Sequence, residues 1–418
     1  MNPSIELVST GSELLSGRTV NRHASVLGDH LRRLGLALTR DTTVPDNLEA
    51  IEEAVASALR RANVVLVSGG LGPTCDDITR DALARLLGSK VITDEAALAA
   101  LRERFARMGR AVTPQAELQA RIVAGGTALS NSVGAAPGER IERDGKTLFV
   151  LPGPPDEFLA VLTEHVLPWL REHGAGSGAL RERMFLVCGL GESAIMELLE
   201  KNGFAPAGLD VAYSAAPGRI ELRLLATGAT DEELERAAAQ VRGLLGPNVF
   251  AEERETMEEV VGRLLRRCGR TLATAESCTG GLLGSRITAV SGSSDYYAGG
   301  VVAYANRVKQ AVLGVEEEVL AREGAVSEAV ARQMAEGVRR LLRTSYGLSI
   351  TGVAGPSGGT PEKPVGLVYI ALAETEGTWV KANRFDGPRA RVRDWSAQIA
   401  LDMLRRRLLE FPPDSTIA

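Results

Sequence analysis

Residues 63–81, NVVLVSGGLGPTCDDITRD, run from an unbroken apolar stretch through three glycines into a segment with helical spacing. A strand that is apolar at every position is buried on both faces, which is the signature of a parallel sheet sandwiched between helices. The same alternation repeats on either side. IELVS (5–9), LALTRDTTV (36–44) and TLFVLPGPP (147–155) read as strands. NRHASVLGDHLRRLG (21–35), LEAIEEAVASALRRA (48–62) and EFLAVLTEHVLPWLRE (157–172) read as helices. The stretch therefore predicts an α/β domain with a parallel sheet over residues 1–170. The GG, DN and PGPP turns fall at carboxyl ends of strands, where such sheets bind ligands.

The chain has 418 residues, too many for one ordinary core, so several domains are expected. A net charge of −5 gives no chain-wide attraction for nucleic acid or anionic lipid. No run of about 18 apolar residues is present, so no membrane contact is expected. The first residues, MNPSIELVSTGSE, lack the pattern of a secretory signal. Cys75, Cys188, Cys268 and Cys278 are too scattered for a disulfide framework or a zinc site. These features predict a cytoplasmic protein.

A Gly/Ser stretch at 171–180 marks the first boundary. Beyond it, residues 181–248 read as a small βαββα unit with a hairpin turning at Ala216, Pro217 and Gly218. An RNA-binding module of the KH type needs a GXXG loop and a basic surface. Here CGLGES (188–193) lacks that glycine spacing, and residues 181–242 carry seven basic against ten acidic side chains. The unit reads as a spacer and interface module, and nucleic acid is not an expected partner. Residues 255–412 form a second strand-and-helix sandwich ending in a helix from about residue 389 to 408. This last module is expected to work when expressed by itself.

Two loops carry candidate chemistry. In SGGLGPTCDDITRD (68–81), glycines let backbone N–H groups approach a phosphate at the start of a helix. Asp76 and Asp77 are hard oxygen ligands suited to Mg²⁺ or Mn²⁺ beside that phosphate, or they are ordinary helix caps. His23 and His30, seven apart on one helix, read as surface residues rather than ligands. In TAESCTGG (274–281), Ser277 and Cys278 are both possible nucleophiles. Alternatively Ser277 or Thr279 caps the following helix and Cys278 packs inward. No histidine lies beyond His173, so a base for Ser277 has to be a lysine, a tyrosine or a carboxylate. GGVVAYANRVK (299–309) supplies Tyr304 and Lys309 together. Tyr304 would relay or orient, Glu276 would orient Lys309, and burial or the cations Arg389 and Arg393 would lower the lysine pKa. A solvated helix lysine is the plain alternative.

STGSELLSG (9–17), VPDN (44–47), GGLGPTCDD (69–77) and LPGPPDEF (151–158) together resemble the molybdopterin-binding-like α/β/α domain of the CinA family. The resemblance implies a KH-like shape for the middle unit. For the first domain it implies a hydrolase that cuts ADP-ribose to AMP and ribose 5-phosphate with a divalent metal (Mg²⁺, Mn²⁺ or Co²⁺). Its substrate residues would be Glu13, Asn21, Asp46, Asn47, Gly69, Gly70, Gly72, Thr74, Pro152, Gly153, Pro154 and Pro155. AESCTGG (275–281), GGVVAYANRVK, GAVSEAVARQMAEG (324–337), SITGVAGPSGGTPEKPVG (349–366) and FDGPRARVR (385–393) resemble, in order, the α/β/α amidohydrolase domain of that family.

That domain, also found as a free-standing enzyme, implies deamidation of nicotinamide mononucleotide to nicotinate mononucleotide and ammonia without a cofactor. Ser277 would be the nucleophile, supported by Tyr304, Lys309, Arg389 and Arg393. Glu276, Cys278, Thr279, Gly280 and Gly281, with Gly355, Pro356, Ser357, Gly358 and Gly359, would cradle the substrate. Pro388 departs from the family pattern, where an acidic residue would precede the arginine, so the anchor of Arg389 is open. A homodimer is expected. Two other readings stay open: only the deamidase is active and the first domain binds a nucleotide or pterin, or the chain is a nucleic-acid-associated competence accessory.

Overall fold

Four parallel strands build the first unit from its middle outward. The computed structural model describes residues 3–173 and 181–410, so most of the Gly/Ser stretch (174–180) and residues 411–412 lie outside the described residues. Strand Ile5–Thr10 is flanked by Leu38–Val44 and Val64–Ser68, and Lys146–Leu151 adds the fourth parallel member. Alternation along these strands feeds two cores. Ile5, Leu7, Leu66 and Phe149 pack under the helices His23–Arg33 and Pro155–Val161. Val8, Val65, Val67 and Val150 pack under Leu48–Arg61 and Thr79–Leu86. The sheet is not purely parallel, as the sequence suggested. Gly138–Arg143 and Thr127–Leu129 extend it with antiparallel pairs, inside a stretch that reads as irregular.

The last module, over the described residues of its sheet, follows the same plan. Leu272–Glu276 lies between parallel neighbours Tyr297–Val302 and Tyr346–Gly352, and Leu367–Ala373 and Thr378–Arg384 continue antiparallel. Met257–Cys268 and Arg389–Leu408 cover one face, while Glu328–Leu342 covers the other.

The middle sheet has four antiparallel strands, with Glu182–Val187 between Arg219–Ala226 and Val249–Ala251. Phe185 and Val187 face that module's own helices Glu192–Lys201 and Asp231–Leu245. Met184, Leu186 and Cys188 face the opposite way, into one core with Leu401 and Leu404 of the Arg389–Leu408 helix. The middle and last modules accordingly belong to one compact unit, residues 181–418, and the first unit spans residues 1–180. A cut between 248 and 254, expected to release an independent last module, would run through shared packing and past the strand Val249–Ala251.

A buried ion cluster crosses the same joint. Asp402 accepts from Arg405 Nε and Arg406 Nε, both at 2.8 Å. Arg406 Nη2 reaches Asn248 Oδ1 at 2.7 Å, and Arg405 reaches the carbonyls of Pro247 and Val249. All four side chains are almost fully buried. Removing the shared carboxylate would take the counter-charge from two buried guanidiniums, a loss of about 3–5 kcal/mol by the usual cost of breaking such a pair. Asp402→Ala is therefore expected to lower the melting temperature of the middle and last modules together, as one calorimetric transition. Two separate transitions, only one of them shifted, would show that the shared core does not couple them.

Candidate active sites

Parallel pairing brings the chemistry of the last module to one end of its sheet. Residue 277 follows the Leu272–Glu276 strand, and residues 303–304 follow its parallel neighbour Tyr297–Val302. The Ser277 N–H donates to the Ile350 carbonyl at 2.9 Å, and the Ala303 N–H donates to the Glu276 carbonyl at 2.8 Å. Lys309, on helix Asn306–Leu313, is 1% exposed and reaches back into this junction. Its Nζ lies 3.1 Å from Ser277 Oγ, 2.7 Å from the Ala303 carbonyl and 3.1 Å from the Tyr304 carbonyl.

Three partners match the three protons of an ammonium. When one proton leaves, two N–H groups still satisfy the two carbonyls and the lone pair faces Ser277 Oγ. Burial drives that change, since it pushes the Lys309 pKa below its ordinary 10.5. Arg389 and Arg393 are not what lowers it.

The other expected partners take different places. Tyr304 is 62% exposed, and its hydroxyl accepts from Arg389 Nη2 at 3.2 Å. It gives Lys309 only its main-chain carbonyl, so it relays nothing between lysine and serine, which touch directly. Glu276 does not orient Lys309 either. Its buried carboxylate accepts the N–H groups of Gly281, Leu283 and Gly284 at 2.8–3.0 Å, tying the loop to the start of helix Leu282–Thr288. Arg393 grips the Thr279 carbonyl from Nε at 3.1 Å and Nη2 at 2.6 Å. Arg389 holds the Gly355 carbonyl at 2.9 Å, so its anchor is the GPSGG loop, and Pro388 serves as helix N-cap. Pro356, Ser357, Gly358 and Gly359 are exposed beyond it. Cys278 turns into the core, and burial pushes its thiol up to about 11. Gly280 and Gly281 both adopt positive φ, which lets the chain turn sharply enough for their amides to face inward. Among the described residues, the N–H groups of Cys278 and Thr279 have no hydrogen-bond acceptor.

In the first unit, a cleft opens where the four parallel strands end. It is lined by Glu13, Asn21, Asp46, Gly69, Gly70, Asp76, Asp77, Gly153 and Pro155, together with Thr10, Arg22, His23 and Ser68. Asn47, Gly72, Thr74, Pro152 and Pro154 lie outside the lining. Asn47 caps helix Leu48–Arg61, and Thr74 shapes the acidic turn through its N–H to Asp77 at 2.8 Å and its hydroxyl to Asp76 and Asp77. A Cβ on Gly69 would sit 2.5 Å from the Thr10 carbonyl, and one on Gly72 would sit 2.5 Å from the Asp77 carboxylate. Helix Thr79–Leu86 begins after Ile78, so Asp76 and Asp77 are turn residues and not its caps. The hydroxyl of Thr74 holds the Asp76 carboxyl below its ordinary range.

His23 was read as a surface residue and is not one. It is buried, stacked on Phe158 at 4.1 Å, and its Nδ1 pairs with Ser68 Oγ at 2.9 Å. Burial lowers its pKa and keeps the ring neutral at pH 7. The signal was present in the sequence: His23, Leu27 and Leu31 share one helical face.

Among the described residues, no three His, Cys, Asp or Glu side chains gather to hold a metal. Asp76 and Asp77 fit instead an ion that takes one or two carboxylates and completes its shell with substrate phosphates and water.

A three-domain α/β chain with a buried Ser–Lys pair at one end and a glycine-lined acidic cleft at the other is thereby defined. Residues 6–172 match the family model described as "Probable molybdopterin binding domain", 182–251 the "Damage-inducible protein CinA KH domain" and 254–408 the "CinA C-terminal domain". The chain is 44% identical over 404 residues to a competence-damage inducible protein of Desulforudis audaxviator, covering 96% of this chain and 98% of that one. It is 41% identical over 423 residues to a CinA-like protein of Nostoc sp., covering 97% and 99%. The chain belongs to the CinA family. No helix among the described residues is long and apolar enough to cross a membrane.

The lysine environment makes a pH prediction that does not depend on substrate. A lysine with a lowered folded pKa binds fewer protons folded than unfolded, so stability rises with pH between the folded value and 10.5. The unfolding free energy of wild type should therefore gain on that of Lys309→Met as pH rises toward 10. A constant difference across that window would mean that Lys309 titrates normally.

Proposed function

We propose that the last module hydrolyses the carboxamide of nicotinamide mononucleotide through Ser277. One observation carries this reading: a buried amine 3.1 Å from a serine hydroxyl. Lys309 takes the Ser277 proton as Oγ attacks the amide carbon. The N–H groups of Cys278 and Thr279 stabilise the oxyanion of the tetrahedral intermediate. Lys309 then delivers the proton to the leaving nitrogen, so ammonia departs and an acyl-serine remains. Lys309 next removes a proton from water, whose oxygen attacks the ester. As the C–Oγ bond breaks, Lys309 returns that proton to Oγ, releasing nicotinate mononucleotide and restoring both Ser277 and the neutral lysine. Arg389 and Arg393 provide cationic charge beside the loop, suited to the nucleotide phosphate.

The first domain, in the same reading, hydrolyses ADP-ribose to AMP and ribose 5-phosphate. Gly69 and Gly70 present backbone to the pyrophosphate, and Asp76 and Asp77 would hold a divalent ion of the Mg²⁺, Mn²⁺ or Co²⁺ class. Such an ion, when bound, neutralises phosphate charge and polarises the P–O bond. Both activities would serve pyridine-nucleotide salvage. The middle module's outer sheet face is packed against the Arg389–Leu408 helix, which favours an internal role over RNA contact.

Ser277→Ala is expected to abolish ammonia release from nicotinamide mononucleotide, and Lys309→Met to reduce it by at least the ~10²-fold typical of a general base. Cys278→Ala should keep most of the activity. A dead Cys278→Ala beside an active Ser277→Ala would move the nucleophile to the thiol.

Asp76→Asn is expected to cut ADP-ribose hydrolysis about tenfold or more while leaving amide hydrolysis unchanged, as is excess EDTA. Full ADP-ribose turnover in EDTA would remove the metal from the scheme. Binding without turnover in metal would leave the first domain as a nucleotide-binding module.

A further inference from the structure

We propose that the middle module is a rear bracket for the Ser277 site, fixing the axial position of the helix that carries Arg389 and Arg393. The proposal rests on the reading of that site as an amidase. Helix Arg389–Leu408 has 20 residues and spans about 30 Å at the standard rise. Its first turns hold the site: Arg393 grips the carbonyl of Thr279, two residues past Ser277, and Arg389 grips the GPSGG loop.

Two parts of the middle module hold the same helix farther back. At its C-terminal half, Arg406 and Arg405 reach Asn248, Val249 and Pro247 from the Asp402 cluster. Near its midpoint, the hairpin turn packs against Gln398. Gly218 sits there at φ +73, and a Cβ on it would lie 2.6 Å from Gln398 Cγ. Gln398 in turn accepts from Arg286 Nη2 at 2.6 Å. Arg286 is in the last turn of helix Leu282–Thr288, which begins directly after the nucleophile loop. It also pairs with both oxygens of Glu258 and reaches the Asp394 carbonyl at 3.4 Å.

A hydrogen-bonded helix slides as a rod and does not compress. An axial slip of about 1 Å at Gln398 would appear undiminished at Arg393, enough to break a short hydrogen bond and to cost about 10²-fold in a positioned reaction. Gly218, Gln398 and Asn248 are therefore positioning residues. None of them touches the reacting atoms.

The test uses the full chain and two glycines with nearly the same φ. Gly218→Ala places a methyl against Gln398. Gly203→Ala, at φ +68 in the same module, puts a side chain on a similarly left-handed φ with nothing within 4 Å. Two readouts are taken: kcat for nicotinamide mononucleotide, and hydrogen exchange of the amides at 277–284, which needs no substrate. Gly218→Ala should lower kcat about tenfold or more and speed that exchange severalfold, while Gly203→Ala leaves both at wild-type values. Equal behaviour of the two variants would overturn the bracket. If Gly218→Ala fails to fold, Asn248→Ala loosens the second contact and should move both readouts the same way. Unchanged readouts there would equally overturn it. Faster exchange at 277–284 in Gly218→Ala alone, in a protein that never deamidates this substrate, would support the bracket and sink the substrate reading.

Discussion

A lysine withdrawn from water must find three acceptors for its ammonium or give up a proton. Lys309 is held where both outcomes are satisfied, and the strand order of the last module is what makes this possible. Two carbonyls that follow one strand and a hydroxyl that follows the next meet because the strands run parallel. Antiparallel pairing would send the two loops to opposite ends of the sheet. The buried helix position of Lys309, the Glu276 clasp on the loop amides and the Arg393 grip on Thr279 then act on a junction that topology has already formed. Each restrains a different atom of the same turn.

The two ends of the chain treat carboxylates alike. Glu276 is consumed by three backbone N–H groups, and Asp77 accepts from Thr74. Both look like reagents in a motif, and both first serve to shape a glycine loop. Asp76 also accepts from the Thr74 hydroxyl, which lowers its pKa, and it lines the cleft beside Asp77. In this turn the same two carboxylates both shape the loop and face the cleft.

Much of the arrangement is legible in the residues. The strands at 64–68 and 272–276, the glycine loops after them and the helices that follow stand where spacing places them. Excluding histidine leaves Lys309 as one of several bases for Ser277, and the CinA resemblance implies the pair. Harder to read were elements whose burial is one-sided or brief. Gly138–Arg143 carries two glutamates and two arginines, which hides a strand, and Val249–Ala251 is too short to show a period. Glu276 and Tyr304 were misplaced because sequence gives proximity along the chain but no direction of a side chain. The run MFLVC at 184–188 does announce a strand buried on both faces, but it cannot name the second partner. That partner is a helix about 200 residues away.

That distance has a consequence for synthesis. The strand Glu182–Val187 emerges early, and its own helices cover Phe185 and Val187 soon afterwards. The core around Met184, Leu186 and Cys188 stays incomplete until the helix Arg389–Leu408 leaves the ribosome, roughly 10–40 s later at about 5–20 residues per second. During that interval the nascent chain presents an apolar core that lacks Leu401 and Leu404. The final helix thus closes two cores in one event, and an interruption in its translation leaves the middle module as incomplete as the last.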